Sequence, residues 1–185
     1  MSTWNLNVNV LRRNYMLYHF SEDDSIKIFV PKEKQNRPDF PAVVWAIDEE
    51  HEFTYYFPRD CPRIVCRRDE ATADQHLQLF FNNSIADTIV TVESDWYTRI
   101  TKQTIFRYCF DDEGFELFDK TAGYYISRQV VKPKSVDTFG YLLERLIQKG
   151  VELRFTTNLY PLREAILASD FKGFGIHRFN NAKRL

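Results

Sequence analysis

The sequence predicts an α+β protein with twisted, antiparallel-rich sheets and a few packed helices. Two observations carry this. Aromatic residues make up 16% of the 185-residue chain, among them 16 phenylalanines and 10 tyrosines, and such side chains suit the pleated, half-buried surface of a sheet. Strand-like runs also come first and the clearest helical patterns late, an order that favours segregated strands and helices over alternating βαβ units. At this length the chain reads as one domain over 1–185, with residues 1–15 readable as an N-terminal extension.

Each element has its own signal. Leu6, Val8 and Val10 alternate within the polar first 14 residues, as an extra strand or part of the extension. Residues 15–20 are apolar and aromatic around His19 and read as a short buried strand, after which 21–24 supply turn or cap chemistry. Pro31, Pro38 and Pro41 amid charges mark a loop. A buried strand over 42–47 follows, and Asp48 is placed to cap a short helix carrying Phe53, Tyr56 and Phe57 on one side. Strands are expected at 64–66, 87–92 and 104–110, with a weak helix at 72–81 and a turn or helix opening at Ser94. Residues 111–114 signal a turn, as in a hairpin, and 123–131 are again aromatic and β-branched. The strongest helical pattern spans 135–149: Ser135 as N-cap, an apolar stripe of Val136, Phe139, Leu143, Leu146 and Ile147, and Gly150 as the stop. A strand over 151–155 comes next, and then a helix from Asn158 and Pro161 to about Ser169.

Charge and cysteine usage exclude several classes. The net charge of −1, from 25 basic and 26 acidic residues, gives no global attraction for nucleic acid, so phosphate binding would need a local cluster. Three cysteines without a CxxC pair indicate neither a disulfide framework nor a metal site. With no long apolar run, no membrane partner is expected, and free thiols fit a cytoplasmic location. P-loop, GxGxxG and HExxH motifs are absent, and with six glycines any phosphate would be held by side chains.

The candidates centre on residues 55–63, Tyr-Tyr-Phe-Pro-Arg-Asp-Cys-Pro-Arg. Proline fixes φ and lacks a donor, so this run is neither helix interior nor central strand. It presents Arg59 and Arg63 as fixed cations beside Tyr55 and Tyr56, which suits an anionic, ring-bearing ligand. Arg128, Arg154, His177 and Arg178 are further candidates for the same cluster. His19, followed by Ser21, faces away from Tyr18 and Phe20 on its strand and is a candidate catalytic residue, able to donate one ring N–H to a ligand while the backbone fixes the other nitrogen. Glu152 is a charge within an apolar strand and, with Glu93, a candidate catalytic carboxylate. Cys61 lies near two arginines that would lower its pKa, but without a local histidine it is a poor nucleophile. His51 and His76 are expected at the surface.

The run Leu-Tyr-His-Phe-Ser at 17–21, a proline-bearing loop, Val-Val-Trp-Ala-Ile at 43–47 and then Tyr55-Tyr56 resemble the amino-terminal half of the ADP-ribosyltransferase-like fold. That group includes diphtheria-toxin-type transferases and RNA 2′-phosphotransferases. Gly-Tyr-Tyr-Ile-Ser at 123–127 looks like a closing strand of such a site. The resemblance implies a split β-sandwich in which His19 contacts a ribose, Tyr55 or Tyr56 stacks on a base beside Trp45, and NAD serves as substrate. No glutamate motif of that family's catalytic strand is present. From about Met16 to Ala182 the chain also resembles a bacterial conserved domain of unknown function, through Pro-Arg-Asp-Cys-Pro-Arg and the closing Ile-His-Arg-Phe-Asn-Asn-Ala. A nucleotide pocket, with ADP-ribosyl or related transfer, is therefore the expected function. A non-enzymatic RNA- or protein-binding module is the alternative, and no feature assigns an oligomeric state.

Overall fold

The computed structural model describes residues 15–33 and 39–184. The expected strand in the first 14 residues, and Pro38, lie outside them. Six strands form one sheet: β1 (Met16–Ser21), β2 (Val44–Ile47), β5 (Ile105–Asp111), β6 (Glu116–Asp119), β7 (Tyr124–Ser127) and β8 (Ser135–Phe139), in the order β6-β7-β2-β1-β5-β8. Every pairing in it is antiparallel. The second sheet has the order β10-β3-β4-β9, from β3 (Arg63–Arg67), β4 (Thr88–Glu93), β9 (Val151–Thr156) and β10 (Phe174–His177). Only its β4–β9 pair is parallel. The α+β, antiparallel-rich class read from the sequence is the class observed.

Alternation along the strands sets the layers, because successive side chains point to opposite faces. Val65, Val90 and Val92 enter a core between the two sheets, shared with Ile105, Phe139 and the aromatic residues Phe53, Tyr56 and Phe57. Their neighbours Ile64, Cys66 and Ile89 face outward, against Phe80, Phe81, Leu159, Ile166 and Phe171. Those covering residues come mainly from α1 (Asp74–His76), which continues as a π-helical turn over Leu77–Phe81, and from α4 (Tyr160–Ala168). On the far face of the large sheet Leu17, Val44, Ala46, Tyr108 and Phe110 are covered by Phe29 and its loop. α2 (Tyr97–Lys102) and α3 (Leu142–Gln148) supply Ile100, Leu142 and Leu146 to the inter-sheet core.

Several local expectations are corrected. The predicted helix over 135–149 is a strand followed by a helix. Phe139 pairs with Ile105 on β5 and is 2% exposed, whereas Val136 and Ile147, assigned to the same apolar stripe, are 43% and 68% exposed. The break falls at Gly140 and at Tyr141, which takes a left-handed φ of 56°, so Ser135 caps nothing. Gly150, at φ 73°, ends the shorter helix as expected, since glycine bears positive φ without strain. Asp48 does not open a helix: its Oδ1 accepts the backbone N–H and ring Nδ1–H of His51 at 2.9 and 2.7 Å. A single 3₁₀ turn over Glu52–Tyr55 follows, and Pro58 prevents its extension. The turn at 111–114 closes no β5–β6 hairpin, because β6 pairs with β7. His51 and His76 are buried rather than superficial, at 7% and 6% exposure, because Asp48 and Asp170 pair with their rings. Among the described residues no helix is long and apolar enough to cross a membrane.

Candidate functional site

The large sheet forks between β1 and β2. The two strands share one registered pair, Tyr18 with Ile47, although β1 pairs with β5 along its whole length and β2 with β7 likewise. Past Tyr18 the His19 side chain takes over from the ladder: its Nδ1 donates to the Trp45 carbonyl at 2.9 Å. A carbonyl only accepts, so the proton sits on Nδ1. Phe29 packs against the same ring with centroids 4.9 Å apart.

A cavity of about 200 Å³ opens in this fork, lined by His19, Phe20, Ser21, Glu22, Trp45, Tyr55, Arg59, Arg63, Tyr124 and Arg178 among others. This is below the roughly 300–1,000 Å³ of a drug-sized pocket. One wall is aromatic. The rings of Phe20 and Tyr55 are nearly parallel, with centroids 6.2 Å apart, and Tyr55 Oη donates to Tyr124 Oη at 3.0 Å. Burial, reinforced by Tyr124, holds the Tyr55 hydroxyl well above its ordinary pKa, so it remains a neutral donor.

The other wall is cationic. Arg63 begins β3 directly after Pro62, and its side chain is 4% exposed. Nε donates to the Thr54 carbonyl at 2.8 Å and one terminal nitrogen to the Cys61 carbonyl at 2.9 Å. Its guanidinium carbon lies 5.0 Å from the Phe57 ring centroid and 5.9 Å from that of Tyr55. Burial depresses the Arg63 pKa, and the Arg178 charge adds to the depression. No carboxylate among the described residues pairs with it. The prolines explain this geometry: they hold the chain in a tight path whose carbonyls meet the guanidinium, where a helix would have used those carbonyls itself.

Arg178 follows β10, which pairs His177 with Arg63, and its φ of 52° turns the chain sharply off the strand. His177 lies beside both arginines. Burial, then Arg63, then Arg178, hold its pKa down at about 3, so the ring is neutral at pH 7 and reports a positive local field. Arg59 is exposed on the rim, and its backbone N–H donates to Glu22 Oε1 at 3.0 Å.

The structure thus gathers His19, Ser21, Trp45, Tyr55, Arg59, Arg63 and Arg178 around one cavity, with His177 behind Arg63. It places four other sequence candidates elsewhere. Tyr56 is 2% exposed in the inter-sheet core, where its hydroxyl donates to Glu52 Oε1 at 2.5 Å. Arg128 is exposed and paired with Glu116 at 3.1 Å. Glu152 accepts Ser84 Oγ and, at 2.7 Å, Arg154 Nε. Arg154 in turn donates to the Phe80 and Phe81 carbonyls at 3.0 Å each. That cluster ties β9 to the end of the π-helical turn, and neither residue lines the cavity. Glu93 is likewise structural, accepting the Lys183 backbone N–H at 3.0 Å. The expected lowering of the Cys61 pKa is also reversed: burial outweighs Arg63 and pushes the thiol up to about 12.

Sequence reasoning reached Tyr124 only as part of the closing strand at 123–127, and missed Phe20 and above all Glu22, the one carboxylate among the described residues that line the cavity. Its signal was its place directly after His19-Phe20-Ser21. Among the described residues no three His, Cys, Asp or Glu side chains are grouped to hold a metal ion.

No curated protein and no solved structure matches the chain. A family model does, over residues 18–182, which takes in every residue of the cavity wall; the chain belongs to the family of unknown function DUF6886.

Proposed function

We propose that the fork cavity binds a phosphorylated, ring-bearing ligand of the nucleotide class, NAD or ADP-ribose being the first to try. Arg63 carries this proposal. A guanidinium 4% exposed, held by two carbonyls and lacking a described carboxylate partner, is costly to bury. An anion entering the cavity would supply the missing counter-charge through charge-assisted hydrogen bonds. Arg178 and Arg59 line the same cavity and would share the phosphate, while Tyr55 and Phe20 offer a face to a planar base or ribose. His19, fixed by the Trp45 carbonyl, stands where a sugar would lie.

If the bound nucleotide turns over, the reaction class that fits is transfer of an ADP-ribosyl group or a related phosphate. Arginines around the leaving phosphate would stabilise developing charge, without a protein nucleophile. Glu152 is not available for such chemistry in this fold. A shallow RNA-binding surface has less behind it, since the arginines converge on a concavity.

Thermal unfolding with and without NAD or ADP-ribose tests the proposal. Ligand at 100 times Kd should stabilise the protein by about 2.7 kcal/mol. An unchanged Tm at millimolar concentrations of both would overturn it.

A further inference from the structure

Resting on the nucleotide reading, we propose that Glu22 is the specificity determinant of the cavity mouth. It would accept ligand hydroxyl groups and turn away a ligand carrying a second phosphate there. Four arginines surround the mouth and its floor. Arg59, Arg63 and Arg178 line the cavity with Glu22, and Arg99 stands 3.8 Å from Glu22 Oε1, its guanidinium carbon 5.0 Å from the Trp96 ring centroid. The two ends of this cluster differ. At the floor, the buried Arg63 has no carboxylate opposite it among the described residues, and an incoming phosphate is its natural partner, with the exposed Arg178 beside it on the wall. At the mouth, Glu22 already neutralises that function: Oε1 accepts the Arg59 backbone N–H at 3.0 Å and faces Arg99.

A carboxylate beside an anion site has a defined chemical consequence. It accepts hydrogen bonds and donates none, so it welcomes ribose hydroxyls and repels phosphate oxygens. The same choice separates dinucleotide sites that read a bare ribose hydroxyl through an acidic side chain from those that take a 2′-phosphate through an arginine. Here Arg99 is already in place beside Glu22. Removing the Glu22 charge would therefore free that cation to receive the phosphate that Glu22 excludes. The ligand class is thus narrowed to one with its phosphate at the Arg63 floor and unphosphorylated hydroxyls at the mouth.

Glu22→Gln isolates this role, because glutamine keeps an oxygen for the Arg59 N–H and so preserves the tie between the end of β1 and the Pro58–Arg59 turn. The experiment is calorimetric titration of wild type and E22Q with adenosine 5′-monophosphate and adenosine 2′,5′-bisphosphate. Wild type should bind the monophosphate at least about tenfold more tightly, and E22Q should erase or invert that preference, on the scale of one charged hydrogen bond. Equal wild-type affinities, or a change in E22Q by one common factor for both ligands, would overturn the role of Glu22 while leaving the nucleotide site standing. Binding of neither nucleotide to wild type, with NAD and ADP-ribose also giving no thermal shift, would remove both.

Discussion

Arg63 and Arg107 are both drawn into the protein interior, and they are treated in opposite ways. Arg107 lies between two carboxylates, 3.3 Å from Glu52 and 3.0 Å from Asp137, and rests 4.8 Å from the Tyr18 ring centroid. Hydrogen bonds to Asp137 and the charge of Glu52 outweigh its burial and raise its pKa. Arg63 has two backbone carbonyls and aromatic faces, and burial lowers its pKa. A closed ion cluster such as Glu52–Arg107–Asp137 ties the 3₁₀ turn to β5 and β8 of the large sheet. A guanidinium with no carboxylate partner among the described residues, on the wall of a cavity, is what suits the anion proposed above. The difference between the two arginines, not the number of arginines, is what supports that proposal.

The largest effect should come from breaking the paired side. Arg107→Met leaves Glu52, 2% exposed, with Lys149 at 3.3 Å as its one cationic partner among the described residues. Losing a buried pair costs about 3–5 kcal/mol; because Lys149 remains, urea unfolding should show about 3 kcal/mol. Arg63→Gln should cost less in the free protein, about 1–2 kcal/mol for its carbonyl hydrogen bonds. It should nevertheless abolish the roughly 2.7 kcal/mol of protection expected from saturating nucleotide. Were R63Q as destabilising as R107M, with ligand protection intact, the contrast between the two arginines would be lost.

Smaller changes sharpen the contrast. Arg178→Asn suits the left-handed backbone, which asparagine tolerates, and should weaken nucleotide binding about tenfold, or about 1.4 kcal/mol, with little change in stability. His177 has a folded pKa of about 3 against about 6.5 in an unfolded chain. Between those values the unfolded state binds the extra proton, so stability rises with pH across that window and falls as the solution is acidified. His177→Gln should flatten that slope in unfolding curves from pH 4 to 6.5. Finally, burial pushes the Cys61 and Cys66 thiols up to about 12, and a thiol reagent should react with neither until the protein unfolds.

Much of this was legible locally. The prolines around Arg59 and Arg63 announce a bent, rigid segment, and alternation around His19 announces a strand with the histidine on the face opposite Tyr18. What sequence could not supply is the pairing of distant residues. Glu52 and Arg107 meet only because β1 and β5 pair and the 3₁₀ turn packs across them. Arg154 is a plausible phosphate ligand until the Phe80 and Phe81 carbonyls arrive beside it. The Val136–Phe139–Leu143 spacing satisfies a helix, and tertiary pairing with β5 overrides it up to Gly140. Tyr55 and Tyr56 are indistinguishable as neighbours, yet one faces the cavity and the other the core.

Calorimetric titration of ADP-ribose into wild type and Arg63→Gln, with both shown to be folded, tests the anion-binding role of Arg63 most directly. Saturable binding to wild type that disappears in R63Q is the expected result. No binding to wild type at millimolar ligand, or equal binding to both proteins, would contradict it.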